Sequence, residues 1–156
     1  MIMEIIQGPL GNWKRLEEAK STKFLKRLLS FYRPFKHKFS DILNTKPNQR
    51  YVRVGCALFT TLLASPEGVK YLNGNKLLYQ IAECLAQLDP VSIVNSADPI
   101  LSRARLADTL SSGYFTLLGT LSKDQRGLQY VSTVHRQYLT LHPECLSLLL
   151  LTFAIE

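Results

Sequence analysis

Cysteine is scarce in this 156-residue chain and poorly placed for cross-linking. Cys56, Cys84 and Cys145 are odd in number, widely spaced, and form no CxxC pair. That argues against a disulfide framework and suits a reducing compartment. No Asn-x-Ser/Thr acceptor for glycosylation occurs. Long apolar runs are missing too. The run at 146–155 falls far short of the ~20 residues that cross a bilayer. At the other end Met1-Ile2-Met3-Glu4-Ile5-Ile6 is short and broken by Glu4, so it does not read as a signal peptide. A soluble, cytoplasmic protein is the expectation.

Catalytic patterns are equally thin. The eight glycines form neither GxGxxG nor a phosphate-binding loop. Gly113 and Gly119 have suitable spacing, but Thr120-Leu121 follows where Lys-Ser/Thr is required. No Gly-x-Ser-x-Gly elbow is present. His135 and His142 lie seven apart, with His37 remote and no third ligand nearby, so no metal site is expected. The chain therefore reads as a non-enzyme without cofactor or metal. Sustained period-2 alternation is absent, which excludes a β-rich fold.

What the chain has is helical periodicity and an uneven charge. Residues 1–53 hold twelve Lys/Arg against four acids, a net +8, whereas the other 103 residues carry seven against eight, a net −1. The formal excess of +7 thus belongs to the first third. Such asymmetry points to an acidic partner, an anionic membrane or a nucleic acid, or to a solvated face that helps solubility.

Phe24/Leu25, Leu28/Leu29 and Tyr32 recur three to four apart, predicting an amphipathic helix capped by Ser21 or Thr22 and stopped by Pro34. A second helix is expected over 48–64, where paired apolar residues give a wide buried stripe. Ser65-Pro66-Glu67 reads as N-cap, first position and first-turn acid of a third helix, ended by Asn73-Gly74. Asn75 caps a fourth, with Leu77/Leu78, Ile81/Ala82, Leu85 and Leu88 facing inward and Asp89-Pro90 closing it. Residues 90–98 read as a connector. Asp98-Pro99 opens the next helical stretch, and another helix is expected over 109–121, its two glycines suiting close packing. A turn at 123–127 precedes a helix marked by Leu128, Val131, Val134, Tyr138 and Leu141, and Pro143 starts a last one.

A faint repeat runs through this pattern. Phe59-Thr60-Thr61-Leu62-Leu63 with Gly68-Val69-Lys70-Tyr71 echoes Phe115-Thr116-Leu117-Leu118 with Gly127-Leu128-Gln129-Tyr130. A long buried helix, a turn and Gly-x-x-Tyr is what an α-solenoid would show. The fold expected is all-α, an armadillo/HEAT-like solenoid segment of stacked helix pairs forming one domain over 1–156, with a basic leading segment 1–53 and a repeat core 54–156. Lys23, Lys26, Arg27, Arg33, Lys36 and Lys38 form the candidate face for an anionic partner, able to meet lipid head groups or an acidic protein. Aromatics are interleaved here (Trp13, Phe24, Phe31, Tyr32, Phe35, Phe39), but Phe24 and Tyr32 sit on the apolar stripe, so core packing is their expected role. Without a base-reading motif, nucleic acid is not the expected ligand.

Several segments, in order, resemble a known family. Gln7-Gly8-Pro9-Leu10 and Lys23-Phe24-Leu25-Lys26-Arg27-Leu28-Leu29-Ser30-Phe31-Tyr32-Arg33-Pro34-Phe35 come first. Gly55-Cys56, Leu58-Phe59, Leu62-Leu63 and Glu67-Gly68-Val69-Lys70-Tyr71-Leu72 follow. Gln80-Ile81-Ala82-Glu83-Cys84-Leu85-Ala86-Gln87-Leu88-Asp89 and Thr109-Leu110-Ser111-Ser112-Gly113-Tyr114-Phe115 continue. Together they resemble the middle region of the Rictor family, rapamycin-insensitive companions of the TOR kinase, across residues 5–140. Rictor proteins are far longer than this chain, and the likeness fades after Thr140. The resemblance implies a helical-repeat scaffold of TOR complex 2 with the TOR kinase and other complex subunits as partners, recruited to the plasma membrane with the complex. It carries over no catalytic residues. The other reading is a stand-alone basic module that binds anionic lipid or nucleic acid.

Overall fold

Leu25 and Leu29, one helical turn apart, are both fully buried, and they fix the inward face of the first helix, α1 (Phe24–Phe31). The computed structural model describes residues 23–88 and 96–141. The expected caps Ser21 and Thr22 lie outside the described residues. At the N-cap position stands Lys23, in the left-handed region with φ 59°. Pro34 does stop the helix, and it opens a short 3-10 turn, Pro34–Lys36.

The second helix, α2 (Gln49–Leu63), runs within one residue of expectation and crosses position 53 unbroken. It buries Val52, Gly55, Leu58, Phe59, Leu62 and Leu63, the wide stripe that its paired apolar residues require. Ser65 then caps α3 (Pro66–Asn73), its Oγ accepting the Gly68 N–H at 3.0 Å. Asn75 Oδ1 accepts the Leu77 N–H at 3.1 Å, so it serves as a cap at the start of α4 (Leu77–Ala86). Nearly every residue of α4 is covered, including Cys84. Leu88 departs from the expected inward row. The helix ends at Ala86, and Leu88, in the turn beyond it, is 37% exposed. Asp89-Pro90 and most of the connector lie outside the described residues.

After Pro99 the chain forms α5 (Arg103–Asp108). The single helix expected over 109–121 is broken. Thr109 is extended, and a 3-10 turn (Leu110–Ser112) leads into α6 (Gly113–Ser122). The cause is competition for backbone groups. The Leu110 N–H donates to Ile42 O and the Asn44 N–H to Asp108 O, both at 2.8 Å, so this stretch pairs with the 42–44 loop instead of its own helix. An isolated Leu43–Thr109 bridge results, and the described residues otherwise carry no strand. The turn expected over 123–127 shrinks to Lys123 and Asp124, because α7 (Gln125–Leu141) begins at Gln125. Asp124 Oδ1 accepts the Arg126 N–H at 2.8 Å, a side-chain cap on the new helix.

Four of these helices form two pairs in contact. α2 turns back into α3, α6 turns back into α7, α2 packs along α6, and α3 packs on α7; α4 packs on α7 and on the 34–36 turn. The internal echo is real, but its register differs from the sequence expectation. A Cβ built on Gly68 would lie 2.0 Å from Leu62 O, and one on Gly127 would lie 2.0 Å from Leu121 O. In both pairs the glycine sits six residues after that leucine and seats the new helix on the end of the old. Leu62 therefore matches Leu121, and Phe59 matches Leu118. Phe115 is not the counterpart of Phe59: it is 41% exposed, whereas Phe59 is 1% exposed. Gly113 and Gly119 also part company. A Cβ on Gly113 would come within 2.9 Å of Phe39 and Val52, but Gly119 faces open space, so only the first serves close packing. Leu128, one of the apolar residues that mark α7, is 45% exposed.

Polar groups finish the joints between pairs. Arg126 donates to Leu63 O at 3.0 Å, and the Tyr130 hydroxyl donates to Leu72 O. Leu63 O lies in the last turn of α2, where carbonyls lack intrahelical donors, whereas Leu72 O also accepts the Asn75 N–H at 2.9 Å. One turn apart on α7, these two side chains cap the ends of α2 and α3. The described cysteines are free: Cys84 is buried and Cys56 half-buried, and burial raises the Cys84 thiol to about 12. Both act as small apolar groups, as their helical positions suggest.

Phe59→Ala should cost about 3–5 kcal/mol in urea unfolding, the range for removing a buried aromatic ring. The glycines give a sharper contrast. Gly68→Ala and Gly127→Ala press a methyl against a helix carbonyl and should each destabilise by at least ~1–3 kcal/mol. Gly119→Ala, in an open helix interior, should stabilise by about 0.5–1 kcal/mol. Thermal melts of the three variants distinguish the two environments.

Candidate interaction surface on the first helix

The basic face is positioned by what lies beneath it. Leu25, Leu29 and Tyr32 point inward while Lys23, Lys26 and Arg27 are exposed. The Tyr32 ring lies against α2 at Gly55, where an added Cβ would come within 2.9 Å of it. Its hydroxyl donates to Tyr51 O at 2.8 Å, and burial pushes its ionisation well above the ordinary tyrosine range. Around it Phe31, Phe39, Tyr51 and Phe59 form a ring cluster with centroids 5.0–6.5 Å apart, extended by the Phe39–Tyr114 contact at 5.2 Å. Edge-to-face and tilted geometries prevail, as the quadrupoles of aromatic rings favour. Phe39 and Tyr32 are thus core residues. Phe24 is not, being 36% exposed at the first position of α1.

Beyond Pro34, His37 takes the left-handed conformation with φ 55° and closes the turn through its N–H to Pro34 O at 3.0 Å. Lys36 and Lys38 flank it and are exposed. Arg33 differs from the other five cations of the face: it is half-buried and makes a long 3.5 Å hydrogen bond to Asn75 Oδ1, tying the end of α1 to the start of α4. Among the described residues no ion pair involves Lys23, Lys26, Arg27, Lys36 or Lys38. The face also lacks acids of its own. Between 23 and 53 the sequence has nine Lys/Arg and one acid, Asp41.

That acid is already engaged. Asp41 accepts from His37 at 3.2 Å and from the Arg105 guanidinium, whose other nitrogen reaches Asp98 at 3.0 Å. Partial burial works against ionisation of Asp41, but the hydrogen bonds from His37 and Arg105 outweigh it and hold the carboxyl below its ordinary range. Nothing in the sequence announces this clasp, which joins residues 64 apart; helical periodicity reports faces, not partners. Sequence reading equally misses a cleft of about 330 Å³ between α3 and α7, lined by Pro66, Val69, Asn73, Gln129 and Tyr130 among others. Its existence depends on how the two pairs stack.

The arrangement offers five exposed cations on α1 and the turn after it, held on a rigid aromatic base. Chemically it suits carboxylates or phosphates, by charge and without base readout. Among the described residues no group of three His, Cys, Asp or Glu side chains is placed to hold a metal, and no helix is long and apolar enough to cross a membrane. Trp13, His142 and Cys145 lie outside the described residues.

Comparison with known proteins gives the chain its context. Residues 92–140, spanning α5, α6 and nearly all of α7, match the family model described as the rapamycin-insensitive companion of mTOR, middle domain. The target of rapamycin complex 2 subunit ste20 of Schizosaccharomyces pombe is 50% identical over 127 residues, covering 81% of this chain and 10% of that protein. The target of rapamycin complex 2 subunit TSC11 of Saccharomyces cerevisiae is 38% identical over 135 residues, covering 85% and 9%. The rapamycin-insensitive companion of mTOR of Mus musculus is 27% identical over 130 residues, covering 83% and 7%. The chain spans about a tenth or less of the length of these relatives. By this likeness, which takes in most of its length, the chain belongs to the Rictor family and corresponds to its middle region.

Proposed function

We propose that this chain acts as a non-catalytic scaffold segment of TOR complex 2. It would contribute packed helical surface to the assembly of the TOR kinase with its other subunits. The observation that carries this reading is the 50% identity, over 81% of the chain, to a protein named as a subunit of that complex. The stacked pairs support it. The two pairs pack on one another, and such units would extend into an armadillo/HEAT-like solenoid with long interaction surfaces. In this reading the protein works in the cytoplasm and reaches the plasma membrane as part of the complex.

The exposed cations favour a second reading, a basic module that engages anionic lipid by itself. The two separate cleanly. Tagged chain purified from its own cells should bring down the TOR kinase and other complex 2 subunits. Changing Lys23, Lys26 and Arg27 to Glu should leave that recovery within about twofold, since exposed charges contribute little to a packed interface. Failure of a soluble, folded chain to recover the kinase would overturn the scaffold reading. Salt-sensitive binding to anionic vesicles, lost in the same triple variant, would then put the basic module in its place.

A further inference from the structure

The two helix pairs leave a cleft of about 330 Å³ where α3 meets α7. Pro66, Val69 and Asn73 line one wall, and Arg126, Gln129 and Thr133 the other. On both walls the spacings are three and then four residues, so each wall is one helical stripe. Seven residues of helix span about 10 Å, the length of about three residues of extended chain. Five of these six residues are exposed and Val69 is half-buried, so the cleft is open to solvent. Tyr130 lines it too. That residue is buried and its hydroxyl is already engaged at Leu72 O, so its ring adds apolar surface to that of Pro66 and Val69.

The polar groups of this cleft have capacity to spare. Nη1 of Arg126 donates to Leu63 O at 3.0 Å. Among the described residues that is the one partner of its guanidinium, and no carboxylate pairs with it. A guanidinium carries five N–H donors, so the contact steadies the group and leaves donors over. The side-chain amides of Asn73 and Gln129 have no hydrogen-bond partner among the described residues. Of the lining residues Arg126 alone is charged. That charge calls for an anion, and the planar fork of a guanidinium matches a carboxylate. The amides call for more. A primary amide offers donor and acceptor together, the same pair that a peptide group presents. A free acid would engage the arginine and leave both amides idle, whereas three residues of extended chain would engage all three groups.

We propose that the α3–α7 cleft binds an extended segment of a partner polypeptide, with an Asp or Glu side chain on Arg126 and backbone groups on the amides of Asn73 and Gln129. This names a contact surface that the scaffold reading leaves open, and it stands without that reading, because the test needs only the chain and a peptide. The test is an NMR titration of the complete 156-residue chain with acetyl-Ala-Glu-Ala-amide. The side-chain N–H signals of Arg126, Asn73 and Gln129 should shift and saturate. Gln in place of the peptide's Glu should weaken binding at least ~10-fold, as should Arg126→Gln. Asn73→Ala and Gln129→Ala should each weaken it by about threefold. Thr133→Trp should abolish it by filling the cleft. Thr133 is exposed and its hydroxyl bonds only Gln129 O of its own helix, so this variant keeps the fold even where loss of Arg126 disturbs the joint. Absence of saturable shifts at these side chains would overturn the proposal, and so would equal binding of the Glu and Gln peptides. Acetate bound as tightly as the peptide would overturn it as well, and would make the cleft a subsite for free carboxylate. Binding that survives Thr133→Trp but is lost when Lys23, Lys26 and Arg27 become Glu would overturn it too, and would place the acidic peptide on α1.

Discussion

Tyr32 on Gly55 is the contact on which the arrangement turns. A missing side chain at Gly55 lets the Tyr32 ring and Leu117 of α6 meet the α2 backbone at one point; a methyl there would stand 2.9 Å and 2.7 Å from them. Three helices therefore converge on one residue of α2. The Tyr32 hydroxyl adds direction, because its hydrogen bond to Tyr51 O fixes how far α1 slides along α2. Buried hydroxyls need such a partner, so the ring cannot shift by a helical turn without leaving its oxygen unpaired. The aromatic cluster around it is the consequence: Phe39 and Tyr114 reach the same junction from the loop and from α6.

The repeat rests on a second close approach, between backbone and backbone. Gly68 and Gly127 let a new helix begin against a carbonyl of the helix before it. Ser65 in one corner and Asp124 in the other supply the side-chain cap. Sequence likeness between the corners is slight, because only the glycine and the inward apolar positions are constrained. A capping position accepts Ser or Asp alike.

Much of the fold was legible in the sequence, for identifiable reasons. α2 and α3 are bounded by local signals: paired apolar residues, then Ser65-Pro66-Glu67. The inward rows of α1 and α4 follow from periodicity, apart from Phe24 and Leu88 at their ends. Where the reading failed, the deciding group was distant. Thr109 is drawn out of a helix because its neighbours pair with the 42–44 loop, and no window of adjacent residues contains that competition. Phe115 looks like a core residue by type and by resemblance to Phe59; only the corner geometry places it on an open side. Of the basic face, periodicity identified the exposed members, Lys23, Lys26 and Arg27. It could not distinguish Arg33, whose half-buried position beside Asn75 depends on the approach of α4. The Asp41–Arg105–Asp98 clasp was likewise beyond sequence reach.

The caps supplied by Arg126 and Tyr130 give the stack a direction. Each reaches back from α7 to a carbonyl at the end of an earlier helix, and a cation beside a helix C-terminus is also favoured by the helix dipole. Parting the two pairs would then be felt unequally. The later pair would lose acceptors for an arginine and a tyrosine, which water replaces readily. The earlier pair would lose the arginine donor at Leu63 O and the tyrosine donor at Leu72 O, which keeps its Asn75 N–H, along with cover for Leu63. An array built this way is held at each joint by the element added after it, so its earlier members are completed only as the later ones arrive.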